Sequence, residues 1–62
     1  MSTGEKLRKL RGSKTQREVA RDLSLSVSAY NQYETGKRTP SDENKRKIAQ
    51  YYGRTVQFLF FE

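Results

Sequence analysis

The stretch Thr15–Ser41, TQREVARDLSLSVSAYNQYETGKRTPS, decides how the rest of the chain is read. Thr15-Gln16-Arg17-Glu18 is a capping box: the threonine hydroxyl takes the Glu18 amide while the Glu18 carboxylate reaches back. It opens a short helix from Gln16 to about Leu23, with Val19, Ala20 and Leu23 at i, i+1, i+4. Ser26 is an N-cap residue for a second helix, Val27 to about Glu34. Only Ser24-Leu25-Ser26 lies between them, and so tight a junction crosses two helices steeply. Small Ala20 permits the close approach, and Leu23 and Leu25 point inward. Tyr30 and Tyr33 share the inner face of the second helix, with hydroxyls expected to reach the surface. Val27, Ser28, Asn31, Gln32 and Thr35 lie on the opposite side. A solvated helix face usually carries Lys and Glu. This one is uncharged, with mostly short polar side chains set between basic segments, which suits contact with base edges.

Working outward, Ser2-Thr3-Gly4-Glu5 is another capping box. It starts a helix from about Thr3 to Arg11, which stops at Gly12. Gly36 ends the Val27 helix, and Lys37-Arg38-Thr39-Pro40 is a loop. Ser41 caps a further helix with Asp42 and Glu43 in its first turn, where the helix dipole favours anions. Gly53 ends it, and Thr55 caps a last helix from Val56 to about Phe61. Leu7 and Leu10, then Ile48, Ala49 and Tyr52, then Val56, Leu59 and Phe60 supply the matching apolar stripes. The expected fold is all-α: five short helices in a single domain over residues 1–62. Each is near or below the ~12–15 residues an isolated helix needs, so tertiary packing must hold them.

Composition narrows the function. The 62 residues contain no Cys and no His, which excludes disulfides, Cys or His metal sites and His- or Cys-based catalysis. An enzyme is not expected, and no cofactor is implied. No apolar run approaches the ~20 residues that span a bilayer, and Met1–Glu5 carries no signal core, so a cytoplasmic protein without membrane contact is expected. Thirteen Lys and Arg against seven Asp and Glu give a net charge of +6, the balance of a domain that meets a polyanion. Phe58-Leu59-Phe60-Phe61 holds more aromatic surface than the edge of a small domain can bury. Phe58, Phe60 and Phe61, with the helix before them, are therefore candidates for a homodimer interface. Two-fold symmetry would set two Val27 helices about 34 Å apart.

The run Thr15-Gln16-x-Glu18-x-Ala20, then Leu23-Ser24-Leu25-Ser26, then Tyr30-x-x-Tyr33-Glu34-x-Gly36-x-x-x-Pro40, resembles the Cro and phage-repressor (XRE-type) helix-turn-helix family. The resemblance covers nearly the whole chain, through Ile48-Ala49 and Gly53 to Val56–Phe60. There are departures. Ser24 stands where the family often has a glycine of positive φ. Leu10–Lys14 is shorter than the family spacing. Asn44-Lys45-Arg46-Lys47 lacks apolar residues, leaving the stem of Lys45 to cover the core. The resemblance implies a sequence-specific, double-stranded DNA-binding transcriptional regulator, a repressor that binds a palindromic operator as a dimer. In it the helix near 16–23 is the scaffold and that near 27–34 the recognition helix. Val27, Ser28 and Gln32 match base-facing positions, with Asn31 a further candidate. Gln16, with Arg17 beside it, matches a phosphate-binding position, as do Thr35, Lys37 and Arg38. Arg11, or failing it Arg8, would pair with Glu34 as a structural ion pair. The alternative is an antitoxin or anti-repressor-like module, with DNA binding secondary and a regulatory protein partner on the aromatic segment.

Overall fold

Each helix begins where a hydroxyl accepts an amide three residues ahead. The caps are Ser2, Thr15, Ser26, Ser41 and Thr55, with N···O distances of 3.0 to 3.2 Å. At Ser2 and Thr15 the box is closed in both directions, and the Glu5 and Glu18 carboxyls are held below their ordinary pKa by the backbone amides they accept. The computed structural model describes residues 1–62 as five helices: α1 Thr3–Arg11, α2 Gln16–Asp22, α3 Val27–Thr35, α4 Asp42–Tyr52 and α5 Val56–Phe60. The all-helical reading holds. Differences from the expected limits amount to one residue: α2 and α5 stop one early, and α3 runs one further to Thr35.

The end of α2 shows why it stops early. Leu23 is the C-cap, Ser24 donates to the Arg21 carbonyl, and Leu25 donates to the Ala20 carbonyl at 2.8 Å. This is a Schellman closure, and it requires a left-handed residue after the cap. Ser24 takes that role with φ 58°, alone among the non-glycine residues. The strain is on the order of 1 kcal/mol.

Nine residues form the core: Leu7, Val19, Ala20, Leu23, Tyr30, Tyr33, Ile48, Ala49 and Leu59. They come from all five helices. Tyr30 is fully buried, and its hydroxyl lies 2.6 Å from that of Tyr52 on α4. The expectation that it would reach the surface is therefore corrected, because α4 lies over it. Burial, the Tyr52 hydroxyl and nearby Glu34 all push the Tyr30 pKa upward. The Tyr33 hydroxyl accepts from Asn44 of α4 at 3.3 Å.

Two contacts set α1 against its neighbours. Gly4 is buried, and a Cβ there would collide with the Glu34 carbonyl oxygen and lie 2.8 Å from its carbon. The α1 and α3 backbones thus meet at a point only glycine allows. Lys6 is also buried, and its ammonium donates to the carbonyls of Phe58 at 2.6 Å and Glu62 at 3.1 Å. Phe58 lies in the last turn of α5 and Glu62 beyond it, so Lys6 takes up a carbonyl the short helix leaves open and ties down the residues that follow. The Thr3 hydroxyl adds a bond to the Leu59 carbonyl at 2.7 Å.

Candidate nucleic-acid interface

The geometry of α3 follows from what it buries. Tyr30, Tyr33 and Glu34 turn inward. The helical period then brings Val27, Ser28, Asn31, Gln32 and Thr35 to the outer side. Val27, Ser28 and Thr35 are exposed, and Asn31 and Gln32 are half-buried. Arg17, in the first turn of α2, is exposed, as are Lys37 and Arg38 in the loop after α3. No side chain on the outer stripe of α3 carries charge, while the segments on either side are cationic. Such a face can place amides and hydroxyls against base edges while its borders meet phosphate.

Beneath this surface lies a polar network. Glu34 has a side chain only 2% exposed. Arg11 of α1 grips it with both arms of the fork, Nε to Oε2 at 2.8 Å and Nη2 to Oε1 at 3.1 Å. Its third nitrogen donates to the Lys14 carbonyl at 2.9 Å. It is Arg11, and not Arg8, that the structure brings to Glu34. Gln16 of α2 donates from Nε2 to Glu34 Oε1 at 2.9 Å, and Asn31 of α3 donates from Nδ2 to Gln16 Oε1 at 3.2 Å. Burial alone would raise the Glu34 pKa, but the Arg11, Gln16 and Tyr30 donors outweigh it and hold the carboxyl below its ordinary value. One carboxylate therefore locks α1, α2 and α3 together directly under the outer face. A smaller cluster fastens the loop after α1. There the Tyr51 hydroxyl donates to Asp22 at 2.6 Å and accepts from Lys14 at 3.0 Å.

In the closing segment Phe58 and Phe61 are exposed, Phe61 by 61%. Phe60 turns inward and packs against the core. The ammonium of Lys6 lies 4.5 Å from the Phe58 ring centre, and that of Lys45 lies 4.7 Å from that of Phe61. Lys45 itself is mostly covered, its ammonium held against the aromatic segment.

Sequence reasoning missed three of these features. The bond from Asn31 to Gln16 joins two helices and leaves no mark in either one alone. Gly4 was read only as part of a cap. Lys6 carried a faint signal, since with Leu7 and Leu10 it has the i, i+1, i+4 spacing of the buried side. No helix is long and apolar enough to cross a membrane.

A family model described as helix-turn-helix matches residues 5–59. No curated protein and no solved structure matches the chain.

Proposed function

We propose a function from one premise: the chain belongs to the Cro/C1-type helix-turn-helix family, whose members are DNA-binding regulators. It is a sequence-specific repressor that lays α3 in the major groove of an inverted-repeat operator and blocks transcription by occupancy. The observation that carries this reading is the outer stripe of α3. It is uncharged, built of short polar and apolar side chains, and flanked by exposed Arg17, Lys37 and Arg38. Val27 is suited to a thymine methyl, Gln32 to the paired donor and acceptor of adenine, and Ser28 to either kind of edge. Arg17, Thr35, Lys37 and Arg38 serve the phosphates, joined by Gln16 at the start of α2. The exposed rings of Phe58 and Phe61 support dimer formation through α5, with Phe60 contributing from the core side. Binding needs no cofactor.

Salt dependence tests the reading. With ~4 phosphates neutralised per subunit, a bound dimer releases enough counterions for log K to fall against log salt with a slope of roughly −7. Fluorescence anisotropy of a labelled duplex over a range of salt concentrations measures it. A slope near zero would contradict DNA binding through this surface. Co-purification of a second protein in fixed ratio, lost on Phe61→Ser, would instead favour a protein-interaction module.

A further inference from the structure

The three amide and carboxylate groups under α3 can be arranged in only one order. Glu34 is ionised and accepts only, so Gln16 must turn its Nε2 toward it. The Gln16 oxygen then faces α3, and Asn31 must present its own nitrogen to it. The Arg11 charge at one end thus fixes the direction of every bond out to the recognition helix. Each bond in such a chain polarises the next. Gln16 is left with one Nε2 hydrogen that has no partner in the protein, on a half-buried side chain at the first position of α2. That hydrogen is free to meet an acceptor at the start of α2, beside exposed Arg17.

We infer that Asn31 is a positioning residue for the phosphate contact of Gln16 and does not read a base. Its amide is spent on Gln16. It holds that side chain from above while Glu34 holds it from below, so the free hydrogen is aimed before DNA arrives. This inference rests on the proposed DNA-binding function and assigns to α3 a division of labour. Val27, Ser28 and Gln32 read sequence, and Asn31 fastens the reading helix to the scaffold helix's phosphate clamp.

The test compares wild type, Asn31→Ala, Gln16→Ala and the double variant on duplexes differing at single base pairs, each across a salt series. Asn31→Ala is expected to weaken binding by about 5-fold, the scale of one hydrogen bond, and by the same factor on every duplex. Its salt slope should stay at the wild-type value, as should that of Gln16→Ala, because a neutral amide displaces no counterion. The double variant should bind no worse than Gln16→Ala alone. Thermal melting monitored by circular dichroism should move by no more than a few degrees, a change that a purely structural loss would exceed. Should Asn31→Ala change preference at one base pair, or should the two losses add in full, the assignment is overturned. A wild type that binds all duplexes alike would sink the repressor reading yet leave the coupling measurable in the double-variant comparison. A wild type that binds none overturns both.

Discussion

Arg11→Met is expected to remove about half or more of the domain's stability at neutral pH and room temperature. A 62-residue domain has a net stability of about 3–9 kcal/mol. Removing Arg11 leaves the Glu34 carboxylate, 2% exposed, with only neutral donors, and breaking a buried pair from one side costs about 3–5 kcal/mol. The reverse change, Glu34→Gln, should cost less, because the Arg11 side chain is 19% exposed and can turn to water and to the Lys14 carbonyl. The asymmetry has a pH signature. In the wild type Glu34 titrates below its ordinary value, so its stabilisation is present above pH ~4.5 and is lost as pH falls through the folded pKa. In Arg11→Met burial dominates and the folded pKa rises. The penalty is then full above that raised value and is relieved as acid neutralises the carboxyl. Urea unfolding of the two proteins should therefore show a large gap at pH 7 that narrows toward pH 4. Adding Glu34→Gln to Arg11→Met should restore part of the loss at pH 7. A gap independent of pH would mean that Arg11 acts through packing alone.

Gly4→Ala, a change of one methyl group, is the second large expected effect. The added carbon would lie within collision distance of the Glu34 backbone carbonyl, which is fixed inside α3 and cannot swing aside as a side chain could. Helix α1 must move away from α3. That movement loosens the Leu7 packing and stretches the Arg11 fork on Glu34 together. Overpacking of this kind costs about 3 kcal/mol. Alanine's better helix propensity returns at most about 1 kcal/mol. Thermal melting should fall by ten degrees or more. If Gly4→Ala melts like the wild type, the two backbones do not meet as described.

These two positions show what the sequence reveals and what it withholds. All five caps were legible, because a cap is a contact between residues three apart and its chemistry is written in adjacent letters. Helix limits followed to within one residue for the same reason. The Arg11–Glu34 partners came from resemblance to a family, not from local pattern. Gly4 and Lys6 were not legible in their real roles. The partner of Gly4 is Glu34, the partners of Lys6 are Phe58 and Glu62, and nothing local signals approaches over such separations. Tyr30 was placed in the core correctly, but its hydroxyl was not, since only the docking of α4 decides whether that oxygen meets water or Tyr52. On the candidate surface, periodicity identified which residues of α3 face outward. It could not separate Asn31 from Gln32, neighbours on one face that differ only in which one reaches Gln16.

In the proposed function the outer stripe of α3 reads sequence. Selection of bound duplexes from a random DNA pool at about physiological salt, followed by sequencing, tests it most directly. An inverted repeat with half-site centres about one helical turn apart, 10 to 10.5 base pairs, should be enriched. Gln32→Ala should then relax one position in each half-site. Tight binding with no enriched sequence would contradict it, reducing the surface to a cation patch that holds DNA without reading it.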